Sequence, residues 1–144
     1  IYGNGELEED LKKQIKDLNL ETSINLCAPR KDINKVFSEH SIFALSSRFE
    51  GFPLVLIEAL SCGLAPVAFD CKNGPKKLMG DSELKDFLVQ PFDVKEFAEK
   101  LKLLIKNKEL RTEMSTVATK VSQRYELQNI MKIWENTFKN LINN

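Results

Sequence analysis

The chain has 144 residues, enough for one domain with a real core. Hydrophobic residues make up 42% and charged residues 29%, ordinary values for a soluble globular protein. Lys plus Arg is 21 and Asp plus Glu is 21, so the formal net charge is zero, which argues against a nucleic-acid binder that relies on bulk charge. No apolar run is long enough to span a bilayer, and no signal peptide is visible. Cys27, Cys62 and Cys71 show neither CxxC nor Cys/His spacing and read as reduced thiols of a cytosolic protein.

In chain order, Ile1-Tyr2-Gly3-Asn4-Gly5 reads as the end of a strand running into a glycine-rich turn, as expected of a piece of a longer protein. Leu7, Leu11, Ile15 and Leu18 then recur at helical spacing, and 23–27 reads as a short strand. A helix is expected over 32–39, with Ile33, Val36 and Phe37 on one face, and His40 at its end. Residues 41–46 form a near-continuous apolar run, the pattern of a buried parallel strand. A short helix over 54–61 stops at Gly63, and 65–69 is a second buried strand. The loop Lys72-Asn73-Gly74-Pro75, a weak helix over 76–79 and a strand over 87–89 follow. Helices over 94–106 (with Asp93 as N-cap), 109–122 and 126–142 complete the chain.

Short apolar strands that alternate with helices predict an α/β fold, a Rossmann-like parallel sheet with helices on both faces. Ligands of such sheets bind beyond the carboxyl ends of the strands. The run 41–46 ends directly before Arg48-Phe49-Glu50-Gly51-Phe52-Pro53-Leu54-Val55-Leu56-Ile57-Glu58, the chemically odd part of the chain. On one helix, positions eight apart are rotated by roughly 80°, so Glu50 and Glu58 converge only if a helix begins between them. Pro53 marks that beginning, since proline suits the first helical turn. The spare N–H groups of Gly51, Phe52, Leu54 and Val55 then face an anion, and Gly51 lets it approach the backbone. Glu58 leans back toward the same place. Carboxylates beside an anion site suit sugar hydroxyls, so the pair of features points to a nucleotide sugar.

Glu-x7-Glu within Glu50-Gly51-Phe52-Pro53-Leu54-Val55-Leu56-Ile57-Glu58-Ala59-Leu60-Ser61-Cys62-Gly63 closely resembles the donor-site motif of retaining GT-B glycosyltransferases, especially glycosyltransferase family 4. The likeness runs across nearly the whole chain. Tyr2-Gly3-Asn4-Gly5 is similar to that family's Gly-x-Gly strand end, and Cys71-Lys72-Asn73-Gly74-Pro75 to a loop of its polysaccharide-building members. Ala28 stands where glycine is usual, and Gly63-Leu64-Ala65-Pro66-Val67-Ala68 departs slightly from the common Gly-Leu-Pro-Val-Val-Ala.

The resemblance implies that residues 1–144 are the nucleotide-sugar-binding C-terminal domain of such an enzyme, without its first strand-helix unit and its acceptor-binding N-terminal domain. It implies that Glu58 holds the ribose hydroxyls and that Glu50 acts beside the anomeric centre. The amides around Gly51, Phe52, Pro53, Leu54 and Val55 would hold the sugar and diphosphate, with Arg30 near the base. The implied reaction transfers a sugar, with retention, from a nucleotide sugar (a UDP-sugar rather than a GDP-sugar) to a glycan or lipid-linked acceptor. The implied setting is bacterial capsule or lipopolysaccharide assembly in the cytoplasm, with a peripheral membrane contact left open. No Asp-x-Asp metal motif is visible, and no cofactor or nucleic acid is expected. The isolated chain is expected to bind a nucleotide weakly and not to catalyse transfer. Two alternatives stay open: a non-catalytic binding module, or a related GT-B enzyme such as an epimerase or sugar-phosphate synthase. Taken singly, Glu58 also reads as a solvent-facing helix residue, Glu50 as a loop charge and Arg30 as a surface arginine.

Overall fold

A computed structural model describes residues 1–142 of the chain. They fall into two compact units, Ile1–Ile33 and the segment that begins at Asn34.

The first unit contains helix α1 (Glu8–Asp17), which carries Glu8, Glu9 and Asp10 in its first turn, where carboxylates meet the positive end of the helix dipole. Lys12 answers two of them, 2.8 Å from Glu8 and 2.7 Å from Glu9. The expected strand over 23–27 is reduced to a single parallel bridge between Tyr2 and Cys27. Two bonds make it, Gly3 N–H to Cys27 O (2.9 Å) and Cys27 N–H to Ile1 O (2.7 Å). The cause is local: the N–H groups of Ser23 and Ile24 both turn back to Leu20 O, so the chain is still turning where the strand was expected to start.

The second unit is built on a parallel sheet in the order β1-β2-β3, with β1 Ile42–Leu45, β2 Ala65–Phe69 and β3 Leu88–Val89. Ile42 pairs with Ala65 and Leu45 with Ala68, while β3 joins only at Ala68 and Phe69. All five residues of β2 are buried, so both of its faces are covered. The strand β1 is less buried than its apolar sequence predicts. It lies at the edge of this sheet, and Ala44 is exposed. Pro66 is accommodated in the middle strand because N–H groups alternate in direction. Ala65 donates toward β1 (to Ser41 O, 3.0 Å) and Asp70 toward β3 (to Val89 O, 2.7 Å). The donor that Pro66 lacks would point to the β3 side, before β3 has begun.

Helix α2 (Ile33–Ser38) precedes β1, and between the strands run α3 (Leu54–Ser61), α4 (Pro75–Met79) and a 3₁₀ turn over Glu83–Phe87. After β3 come α5 (Val94–Lys106), α6 (Lys108–Gln123) and α7 (Leu127–Ile142). The caps follow the sequence. Asp93 accepts from Glu96 N–H (2.9 Å) and Asn107 from Leu110 N–H (2.9 Å). His40 Nδ1 donates to Val36 O in the last turn of α2 (2.6 Å). Helices α3, α5 and α6 pack on β2. Leu56, Leu60, Val67, Ala68, Leu104, Met114 and Ala118 form one core between them. Helix α7 differs, with no buried residue; Trp134, Phe138 and Leu141 are all at least half exposed. The 3₁₀ turn was not anticipated. Ser82 nucleates it by accepting from Leu84 N–H (3.3 Å) while donating to Met79 O (2.9 Å).

Candidate functional site

Because β1 and β2 are parallel neighbours in register, the loops at their carboxyl ends emerge side by side. The first, after Leu45, carries Glu50; the second, after Phe69, carries Cys71, Asn73 and Gly74. They touch. Glu50 is half-buried, and its Cβ lies 3.0 Å from where a side chain on Gly74 would begin. Cys71 is buried with its sulfur against the backbone N–H of Glu50. Burial first, and the Glu50 carboxylate second, push the Cys71 thiol up from its ordinary value. A shallow concavity of about 370 Å³ opens beside these residues, lined by Asp70, Lys72, Asn73, Lys76 and Lys77 among others. Lys76 Nζ stands 3.9 Å from Asp70.

Pro53 is the N-cap of α3, one place earlier than the first helical turn. Its buried ring anchors the turn in the protein. Gly51 is exposed, with open space where a side chain would be. Among the described residues, the N–H groups of Gly51, Phe52 and Val55 make no hydrogen bond. The N–H of Leu54 does not belong with them. It closes a tight turn onto Phe52 O (2.9 Å), which corrects the expectation that it is a spare donor. Phe52 is held from behind by Tyr125, with ring centroids 5.9 Å apart, and the Tyr125 hydroxyl donates to Lys77 O (3.2 Å). Arg48, from the same loop as Glu50, covers the ring of Phe92 beyond β3 at 5.6 Å.

Glu58 is the fifth residue of α3 and lies on its solvent face, with Leu54 one turn before and Ser61 one turn after also exposed. That face is opposite to buried Leu56, Ala59 and Leu60. Its position is therefore free of any packing duty. Arg30 belongs to the first unit, where its guanidinium grips Asp32 through two bonds of 2.8 and 2.7 Å. That grip holds the Asp32 carboxyl down to about 2. The first unit has its own concavity of about 450 Å³, lined by residues 1–5, Leu7, Leu11 and neighbours, with Glu8 as its one charged side chain. Among the described residues, no three His, Cys, Asp or Glu side chains gather where they could hold a metal ion, and no helix is long and apolar enough to cross a membrane. Sequence reasoning missed Cys71 as part of the Glu50 surroundings. An isolated cysteine carries no motif, and only the register of β1 with β2 brings it there.

Comparison with known proteins gives this edge a context. The family of glycosyl transferases group 1 matches residues 1–121. The chain belongs to that family. A glycosyltransferase of Haemophilus influenzae, named as uncharacterised, is 38% identical over 135 residues, covering 94% of this chain and 38% of the relative. The amylovoran biosynthesis glycosyltransferase AmsD of Erwinia amylovora is 36% identical over 135 residues, 93% of this chain and 37% of the relative. Among solved structures, a mutant of Staphylococcus aureus TarM, in complex with fondaparinux, α-GlcNAc-glycerol and UDP, superposes with a TM-score of 0.85 at 29% identity. That match covers 96% of this chain and 28% of TarM. The α/β architecture is thus that of the GT-B glycosyltransferases, and the chain spans less than two fifths of the length of these relatives.

Proposed function

We propose that this chain is the donor-binding part of a retaining glycosyltransferase that moves a sugar from a UDP-sugar to a glycan or lipid-linked acceptor, in the assembly of a bacterial surface polysaccharide. The observation that carries the reading is the carboxyl edge of β1, where the free N–H groups of Gly51, Phe52 and Val55 stand between Glu50 and Glu58 in the chain. Free donors at a helix start suit the sugar oxygens and the diphosphate. As the anomeric C–O bond breaks, negative charge gathers on the departing diphosphate, which fixed N–H donors stabilise. Positive charge gathers on the sugar ring, which the carboxylate of Glu50 stabilises. Glu58, exposed on α3 and engaged in no ion pair among the described residues, accepts from the ribose hydroxyls. UDP is the favoured nucleotide because the TarM structure contains it, and the polysaccharide setting is favoured by the name of the Erwinia relative. Acceptor binding falls to sequence outside this chain, so the chain alone binds donor and does not turn it over.

The test is an NMR titration of the chain with UDP, GDP, ADP and UDP-sugars, with Glu58→Ala alongside. UDP is expected to move the signals of residues 50–58 saturably. Loss of a charged hydrogen-bond acceptor worth about 1.5–3 kcal/mol weakens binding by roughly ten- to a hundredfold in Glu58→Ala. Since Glu58 is exposed, the thermal midpoint should stay put. UDP binding equally tight to the Glu58→Ala chain would remove the ribose role.

A further inference from the structure

The two loops at the carboxyl ends of β1 and β2 are interlocked at one point, and the fit leaves no slack. A Cβ on Gly74 would sit 3.0 Å from Glu50 Cβ, 3.4 Å from Cys71 Sγ and 3.6 Å from Cys71 O. Carbon atoms in contact settle at about 3.5–4.0 Å, so the missing side chain of Gly74 is what admits Glu50. The turn beneath is closed by Gly74 N–H to Cys71 O (3.3 Å) and Cys71 N–H to Phe69 O (2.8 Å), which ties it to the end of the fully buried β2. Pro75 follows and opens α4, and both Gly74 and Pro75 are buried although the neighbouring lysines are exposed. From the other side, the buried Cys71 sulfur meets the Glu50 backbone. Glu50 itself, by contrast, lies in a loop with exposed Phe49 and Gly51 on either side.

We propose that Gly74 and Cys71 form a socket that fixes the backbone and Cβ of Glu50, which makes Gly74 a positioning residue for the carboxylate beside the donor sugar. This rests on the reading of Glu50 given above. The socket joins Glu50 to the most buried strand of the sheet, and so gives a loop carboxylate the rigidity of the core. The negative charge of Glu50 also raises the Cys71 thiol, which provides a ligand-free reporter of the distance between them.

The experiment compares Gly74→Ala, Cys71→Ala, the double variant and Glu50→Gln. In the full-length protein it measures kcat, the donor KM and inhibition by UDP. In this chain it measures the Glu50 amide shift and the alkylation rate of Cys71. Gly74→Ala is expected to push Glu50 aside by a few tenths of an ångström, move its amide signal, speed alkylation of Cys71 and lower kcat about tenfold with UDP inhibition unchanged. The added methyl finds room once the sulfur is gone, so the double variant should recover part of the lost kcat. An unmoved Glu50 amide together with unchanged kcat in Gly74→Ala would overturn the socket. So would a loss of kcat matched by weaker UDP inhibition and unrelieved in the double variant, the mark of general misfolding. Glu50→Gln separates the two readings. If it turns over like the unaltered enzyme, the role of Glu50 falls, while the amide shift and the alkylation rate still decide the socket.

Discussion

Gly63→Ala tests how α3, which carries the first half of the site, is brought to a stop. Gly63 has φ +75° and follows the C-cap Cys62. Its N–H bonds Leu60 O (3.0 Å) and the next, Leu64 N–H, bonds Ala59 O (3.1 Å), the two bonds of a Schellman closure. An L-residue in this left-handed region costs about 1–2 kcal/mol. The new methyl would also stand 3.0 Å from Ser115 Oγ on α6, whereas Thr119 Oγ1 at 3.6 Å is an ordinary contact. Forcing Ser115 off its rotamer adds about 0.5 kcal/mol. The sum is roughly 2 kcal/mol, which for a chain of this size lowers the thermal midpoint by about 4–8 °C. Urea unfolding followed by circular dichroism, run as a cycle with Ser115→Ala, separates the two terms. The cost of Gly63→Ala should shrink by about 0.5 kcal/mol when Ser115 is alanine and keep its backbone part. A Gly63→Ala chain with an unchanged midpoint would refute the closure. An undiminished cost in the Ser115→Ala background would refute the steric part.

Two further outcomes follow from single contacts. Asp93→Ala removes the acceptor for Glu96 N–H at the start of α5 and should cost about 1 kcal/mol, read as a lower urea midpoint with an unchanged slope. Cys71 gives an alkaline signature. Its folded pKa is raised, so from about pH 9 upward the unfolded chain gives up the thiol proton while the folded chain keeps it. The unfolded state then binds fewer protons, and stability falls with pH. The contribution is whole below about pH 9 and is lost as pH rises through the folded value. Unfolding measured across this window should slope less in Cys71→Ala, and equal slopes would contradict the raised thiol.

What was legible in the sequence was whatever local chemistry decides. Asp93 as cap, Gly63 as stop and the unbroken apolar run of β2 each declare themselves within a few residues. The same holds for the helix start between Glu50 and Glu58, because Pro53 can occupy only a few backbone positions. Hidden were the features that depend on register or on turns inside polar stretches. Residues 23–27 have strand-like composition, but Leu20 O captures the first two N–H groups. Leu54 N–H looked spare by counting from the helix start and is consumed by a contact two residues long. The 3₁₀ turn was missed because Ser82, whose hydroxyl accepts from Leu84 N–H, sits in a polar stretch between Asp81 and Glu83 that carries no helical spacing. The meeting of Glu50 with Gly74 had no sequence signal at all, since it arises from two strands laid side by side.

The bare surface of α7 sets a limit on the cooperative unit. Opening this helix withdraws no fully buried side chain, so the middle of its 16 residues rests largely on its own backbone bonds and on pairs such as Trp134 on Phe138, 5.5 Å apart. A helix of that length alone is marginal in water. The block that melts as one therefore ends near the start of α7, where the Tyr125 ring and hydroxyl engage the body of the second unit and the Asn129 amide donates to Gln123 O at the end of α6 (2.7 Å). Beyond it, amide protons of α7 exchange through local fraying at little free-energy cost, while those of β2 wait for global unfolding.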